Sequence, residues 1–411
     1  MNRRSFLHTA LAGAGATLAR PSLVQAALPK AKITRIRYYR TPTDAAGRPN
    51  TQQPLFNQSA NVVVVETDAG LVGIGEGGAH DTMQQCAGML IGENPFQTER
   101  LWQIMTRSYF YPAGRERLHA IGALDVALWD IKGKALGVPL YDLLGGLTRE
   151  YIECYATSFP RQGDERETAR ACVEFGYRVY RMGVTGGRIF DRFEEVARTY
   201  EQCKLAREGA GKDGAWAIDY HTRLDLSDAV TLSKMIEPLH PYFVEDLVRS
   251  ENPDIYRTLR TQVKVPIAVG EQYGNRWDIS ELVENDLIDH ARVTVPNTGG
   301  ITEFLKIASI CETHFVGLIP HFTGPISEAA MVHLCGIYPG TALMEMLGRG
   351  DRKWPYLLQG YDFRNGKMYP VARPGIGVEV DTKQLELILD VSERYAPMPM
   401  NSRPDGTPTN W

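Results

Sequence analysis

Apolar and polar positions along the chain fall into two grammars. From Lys32 the text reads as strands: Ile33 to Tyr39 alternates, Asn61 to Thr67 carries the β-branched run Val62-Val63-Val64-Val65, and Leu71 to Gly75 returns after the turn Asp68-Ala69-Gly70. Alternation on either side of such a turn predicts a hairpin preceded by a further strand. Between the first two strands, Thr41–Ala60 is polar and rich in Pro, Gly and Gln, and reads as a long mobile loop of the kind that carries function. Helical spacing follows over about Asp81–Leu90, Thr98–Arg107 and Arg117–Leu136, the last stopping at Gly137 with Pro139 beyond.

After Leu147 short β-rich runs recur with helical stretches between them. They are Tyr151–Ala156, Tyr177–Gly183, Ala215–Asp219, Tyr242–Glu245, Pro266–Glu271, His290–Val295, Phe315–His321 and Thr341–Glu345. Eight βα units across residues 148–350 predict an α/β fold, a (β/α)8 TIM-type barrel. Residues 32–147 then form an α+β capping domain, and 351–411, with few helix signals and several prolines, are expected to pack back on it. An open doubly wound sheet is the competing architecture. It lacks its phosphate loop, because Gly73-Ile74-Gly75 ends a strand without opening a matching helix fingerprint.

Composition narrows the partners. The chain has 411 residues, 43% hydrophobic and 23% charged, with a net charge of −4. Nothing in that balance neutralises phosphates, so nucleic acid is excluded as the principal ligand. No uncharged apolar run reaches the length of a bilayer span. At the start, Arg3-Arg4-Ser5-Phe6-Leu7, the weakly apolar Thr9–Leu18 and Val24-Gln25-Ala26 resemble a twin-arginine export signal over residues 1–26. The expected localisation is periplasmic or exported. Cys86, Cys154, Cys172, Cys203, Cys311 and Cys335 show no CxxC pairing and read as buried thiols, although an oxidising compartment leaves room for one pair.

The chemistry lies where the strands stop. Asp219 ends Ala215-Trp-Ala-Ile-Asp, Glu245 ends Tyr242-Phe-Val-Glu, and Glu271 ends Pro266-Ile-Ala-Val-Gly-Glu, each 26 residues from the one before. One βα unit per step brings the three to the same level of a barrel mouth. Three carboxylates there repel each other unless a cation is present, and oxygen-only ligation favours Mg²⁺ over zinc. Three unrelated helix N-caps would explain any one of them, but not the equal spacing.

Three features together resemble the enolase superfamily, in its mandelate racemase and muconate lactonizing enzyme subgroup. They are Ala127-Leu-Trp-Asp-Ile-Lys-Gly-Lys-Ala-Leu-Gly-Val-Pro-Leu-Tyr-Asp-Leu-Leu-Gly-Gly, the spaced carboxylates, and Gly299-Gly300-Ile301-Thr302-Glu303. The resemblance implies capping loops, here Thr41–Ala60 and Gly75–Thr82, that close over the barrel mouth. It also implies abstraction of a proton α to a carboxylate with Mg²⁺ holding the enediolate, and a symmetric homo-oligomer.

Where the racemase branch has Lys-x-Lys on the second strand, this chain reads Arg181-Met182-Gly183. Arginine is a poor base and a good carboxylate clamp. Asp219-Tyr220-His221 and Arg292-Val-Thr-Val-Pro-Asn-Thr-Gly-Gly resemble the D-mannonate dehydratase branch, which makes His221 the acid for a leaving hydroxyl. Ile319-Pro320-His321-Phe322 matches the family's seventh-strand histidine, and Glu345 a substrate-binding carboxylate. The aspartate that orients the racemase histidine has no counterpart; Asn297 is the nearest polar residue, a candidate substrate contact. The ordered tyrosine loop of the mannonate dehydratases is missing too, since Thr185-Gly186-Gly187-Arg188-Ile189-Phe190 is too short and holds no Tyr.

These residues predict a Mg²⁺-dependent dehydratase giving a 2-keto-3-deoxy acid from a small sugar acid. A racemase, epimerase or cycloisomerase using the same enediolate step is one alternative. A barrel that binds a sugar acid without turnover is the other.

Overall fold

The computed structural model describes residues 28–42, 59–186, 191–350 and 353–410. The predicted export signal, most of loop 41–60 with Asn50, Gln52, Gln53 and Asn57, and residues 187–190 lie outside the described residues.

Strands β1 (Ile33–Arg40), β2 (Val62–Thr67) and β3 (Val72–Glu76) form an antiparallel sheet, followed by helices α1 (His80–Leu90), α2 (Thr98–Arg107) and α3 (Arg115–Leu136). The Gly-Ile-Gly of β3 has a packing role. A Cβ on Gly73 would lie 2.0 Å from the Ala127 carbonyl oxygen, and one on Gly75 1.8 Å from that of Ala123. Glycine lets the backbone of α3 lie directly on the strand. As the sequence predicts, α3 stops at Gly137, which takes the left-handed conformation at φ 69°.

The eight expected barrel strands are present: β4 (Ile152–Thr157), β5 (Val179–Gly183), β6 (Ala215–Asp219), β7 (Val244–Glu245), β8 (Ile267–Val269), β9 (His290–Ala291), β10 (Gly317–Leu318) and β11 (Leu343–Leu347). They pair in parallel in that order, and β11 returns to β4 with Glu345 opposite Tyr155. A bridge between Leu318 and Ala342 closes the ring. Local signals set the helices between them. Glu165–Phe175, for instance, opens on a reciprocal capping box between Asp164 and Glu167 and ends at left-handed Gly176. An α-helix follows each of the first seven strands; among the described residues no α-helix follows β11.

The chain runs instead into short strands: β12 (Leu357–Gln359), β13 (Asp362–Arg364), β14 (Lys367–Tyr369), β15 (Glu379–Val380) and β16 (Glu386–Val391). β16 joins the first sheet beside β1, with Val391 opposite Ile36. All six cysteines are buried and free. No helix among the described residues is long and apolar enough to cross a membrane.

Buried carboxylates of the cap dock it on the barrel. Glu76, at the end of β3, accepts from the backbone N–H groups of Ile326 (3.1 Å) and Ser327 (2.9 Å), in the first turn of helix Pro325–Ile337. Asp125 on α3 accepts from Thr302 N (2.9 Å) and Oγ1 (2.6 Å), in the first turn of helix Ile301–Thr313. Both satisfy orphan amides and sit at the positive end of a helix. Burial nevertheless dominates, raising Glu76 to about 8 and Asp125 to about 7, against the opposing pull of those hydrogen bonds.

Two outcomes follow. Gly75→Ala forces a Cβ against the Ala123 carbonyl and should cost about 3 kcal/mol in denaturant unfolding. The stability contributed by Glu76 is complete below its ordinary value of 4.5 and is lost as pH rises through about 8. Glu76→Gln, which cannot ionise, should therefore flatten the fall in Tm between about pH 4.5 and 8.

Candidate active site at the barrel mouth

Strand alternation builds this site one layer above an apolar floor. Tyr155, Val179, Ala217, Phe243, Ala268, Ile319 and Leu343 form a buried cluster inside the barrel. Two residues further along stand Arg181, Asp219, Glu245, His321 and Glu345; on β5, β6 and β11 this step keeps the same side of the strand, while His321 lies past the end of β10. Glu271 enters one step later, past Gly270. A Cβ on Gly270 would meet the Arg292 backbone at 2.7 Å, so glycine lets the sixth strand close in.

Two guanidiniums tie this layer together. Arg181 reaches Asp219 (Nη1 to Oδ2, 2.6 Å) and Glu345 (Nη2 to Oε1, 2.9 Å), with its Nε 3.8 Å from Glu245. Arg292, fully buried just past β9, reaches Glu245 (Nε to Oε1, 2.6 Å), Glu345 (Nη2 to Oε2, 2.7 Å) and Glu271 (Nη2 to Oε2, 3.2 Å), and donates to the Tyr155 hydroxyl. Burial disfavours both cations, but the surrounding carboxylates outweigh it and hold both well above the usual arginine range. Glu345 lies between the two arginines and also accepts from Phe322 N at 3.1 Å. Burial would raise Glu345 as well; the two arginines hold it well below the usual carboxylate range.

Oxygen atoms of Glu245, Asp246 and Glu271 lie within 4.8 Å of one another, the grouping that could hold a metal ion among the described residues. Glu245 Oε2 and Asp246 Oδ2 are buried without a hydrogen-bond partner, while Glu245 Oε1 is held by its ion pair with Arg292. Burial pushes Glu245 and Asp246 well above the usual carboxylate range, whereas His321 and Arg292 overcome burial at Glu271 and hold it down to about 2. Five carboxylates therefore face two guanidiniums, with oxygen-only donors and orphaned lone pairs. Such a donor set fits a hard divalent cation. Asp219 stands in register with Glu245, its Oδ2 on Arg181 and its Oδ1 on the His221 amide.

The remaining candidates are placed as follows. His321 sits at the mouth, its Nε2 3.5 Å from Glu271 Oε2 and its Nδ1 without a partner. Asn297 lies in the single turn Val295–Thr298 and donates to the Glu271 carbonyl at 2.6 Å, so it braces the fifth strand end. His221 is exposed at the rim in the left-handed conformation, φ 50°. Its strand stops at Asp219, so alternation along an extended strand does not set its side of the site. Sequence reasoning singled out neither Arg292 nor Asp246. The signal for Arg292 was present as a lone charge within the β-rich His290–Val295, where a buried cation demands acidic partners.

Removing that cation tests its role. Arg292→Met leaves Glu245 and Glu345 short of a counter-charge and should cost about 3–5 kcal/mol in denaturant unfolding. Arg292→Lys should recover only part of this, since one ammonium cannot span several carboxylates.

Residues 43–145 match the mandelate racemase/muconate lactonizing enzyme N-terminal domain, and residues 164–384 the enolase C-terminal domain-like family. The chain is 32% identical over 399 residues to a D-galactonate dehydratase of Pectobacterium atrosepticum, covering 92% of this chain and 100% of that protein. It is 30% identical over 386 residues to a D-mannonate dehydratase of a Sphingomonas species, covering 84% and 94%. A solved member of the enolase superfamily from Salmonella typhimurium superposes with a TM-score of 0.79 at 26% identity, over 88% of this chain and 100% of that one. An enolase of Agrobacterium radiobacter, solved with sodium and L-malate bound, gives 0.76 at 27% identity over 92% and 100%. The chain belongs to the mandelate racemase/muconate lactonizing enzyme subgroup of the enolase superfamily, an enzyme whose named relatives are hydro-lyases.

Proposed function

We propose that the protein is a Mg²⁺-dependent dehydratase that converts a sugar acid to a 2-keto-3-deoxy acid. The observation that carries this reading is the oxygen-only carboxylate cluster, with His321 against one of its members, Glu271, at 3.5 Å. The dehydratase names of its relatives support it. Glu245 and Glu271 would hold the ion, with Asp219, in register with Glu245, as the third ligand and Asp246 beside them. When bound there, Mg²⁺ supplies Lewis-acid stabilisation of the negative charge that develops on the substrate carboxylate.

The chain's own groups do the rest. His321 takes the α-proton at the ring nitrogen facing the site. Arg181, a permanent cation, offsets the charge of the carboxylate or enediolate. His221, at the open rim, protonates the departing 3-hydroxyl, and Glu345 and Asn297 contact or brace the bound acid. The work divides along the chain: the barrel of 148–350 supplies the chemistry, while the cap of 32–147 and the returning 351–411 enclose it. The twin-arginine pattern at Arg3-Arg4 further supports a proposal of export, which fractionation of cells expressing the full chain would test.

The decisive experiment uses protein starting at Ala27, with Mg²⁺ and a set of aldonic, aldaric and uronic acids in D₂O, beginning with D-galactonate and D-mannonate. A keto acid carrying deuterium at C3 is expected. Substrate returned with deuterium at C2 would make the protein an epimerase, and Mg²⁺-dependent binding without exchange would make it a binding protein. Glu245→Gln should lose Mg²⁺ binding and turnover together, and Asp219→Asn should weaken Mg²⁺ more than Asp246→Asn does. His321→Asn should abolish α-proton exchange with metal affinity retained, whereas His221→Asn should keep exchange and lose product.

A further inference from the structure

The first turns of α3 roof the barrel mouth. Arg115 donates to Ser250 Oγ (2.7 Å) and Asp278 Oδ2 (3.2 Å), on the loop after the fourth strand and the helix after the fifth. Leu118 lies against Gly274 and Gly299, 2.7 and 2.9 Å from where their Cβ atoms would be. Close by, a Cβ on Gly77 would sit 3.5 Å from both the His119 carbonyl oxygen and Pro296 Cβ, in the turn that carries Asn297. Glu76, one residue before Gly77, holds the helix that starts just past His321. Four rim segments therefore border the start of α3, the turn that carries His119.

His119 differs from the other buried histidines. His333 stacks on Tyr141 and faces the Ile376 carbonyl at 3.3 Å, and His290 stacks on Tyr242. His119 is only 8% exposed and its Nδ1 has no hydrogen-bond partner, as is also true of Nδ1 in His290 and His333; unlike theirs, its ring has no stacking neighbour among the described residues. Burial, reinforced by the nearby His321, holds it down to about 4, so the ring is neutral at pH 7. A neutral imidazole offers one donor and one acceptor. That pair suits a hydroxyl, which both accepts and donates, better than a carboxylate, which only accepts.

We propose that His119 is a specificity-determining residue supplied by the capping domain, hydrogen-bonding a chain hydroxyl of the bound sugar acid above His321. The proposal rests on the sugar-acid reading of the site. It assigns recognition of the polyol part of the substrate to α3 and leaves the carboxylate end to the barrel.

The test pairs a change in the protein with a change in the ligand. Wild type, His119→Ala and His119→Gln are measured with Mg²⁺ on D-galactonate, D-mannonate and their 4-, 5- and 6-deoxy analogues. Both kcat/KM and calorimetric Kd are recorded, with Tm as a check on folding. For wild type, one deoxy position should lose about 2- to 13-fold, the scale of one hydrogen bond between neutral groups. His119→Ala should show the same loss on the parent acid and no further loss at that deoxy position, and His119→Gln should recover part of it. Equal losses on every ligand, or a deoxy penalty that persists in His119→Ala, would overturn the proposal. If no acid is turned over, the dehydratase reading fails while the Kd pattern still decides for or against His119. Acids that neither bind nor react would sink both.

Discussion

Like charge crowded into a closed space governs this molecule. Five carboxylates meet at the barrel mouth around two guanidiniums, several with no access to water. Taking such groups out of water is expensive, and their mutual attraction offsets the cost only where geometry is close and partners are shared. Arg292 and Arg181 share Glu345 between them, which joins two clusters that would otherwise each carry unbalanced charge. The excess of acid over base leaves a buried oxygen donor set of the kind that fits a hard cation. The apolar floor of Tyr155, Phe243, Ile319 and Leu343 excludes water from below, so these interactions act in a poor solvent.

Alignment of that layer depends on a second set of buried acids, used structurally. Glu76 and Asp125 reach from the cap to the first turns of the helices after strands seven and six, beside the loops that hold His321 and Asn297. Cap and catalytic rim therefore share hydrogen bonds as well as apolar contact. One class of side chain does two jobs here: where amides converge it docks a domain, and where guanidiniums converge it lines a reactive site.

The sequence made the periodic parts legible. Strand runs could be read because each βα unit repeats the same alternation, and the even spacing of Asp219, Glu245 and Glu271 showed which strand ends face one another. The stop of α3 at Gly137 followed from glycine's conformational freedom. Other features were hidden for physical reasons. Arg292 sits in a run that reads as ordinary strand, and only three-dimensional convergence explains why a fully buried cation is tolerated there. Asp246 follows Glu245 directly, so alternation points it away from the axis; its approach to Glu271 depends on a left-handed turn at φ 44° that composition does not announce. His221 was reached through resemblance; two residues past Asp219 it would share that residue's side of an extended strand, but the chain leaves the strand before reaching it. The Gly-Ile-Gly of β3 looked like half a phosphate loop because the glycines it needs for helix packing are the same ones a nucleotide site uses.

The pairing of β16 with β1 has a consequence in time. Arg35 and Asp390 are bonded across the sheet although 355 positions separate them in the chain. During synthesis the capping sheet thus lacks one of its four strands until the whole barrel has been made. The barrel, whose strands pair mostly with their sequence neighbours, is free to form earlier. Its first-made partner must wait with the edge of β1 uncovered. Completion of the roof therefore waits on residues 386–391, and a chain cut short before them would carry the barrel with the edge of β1 still uncovered.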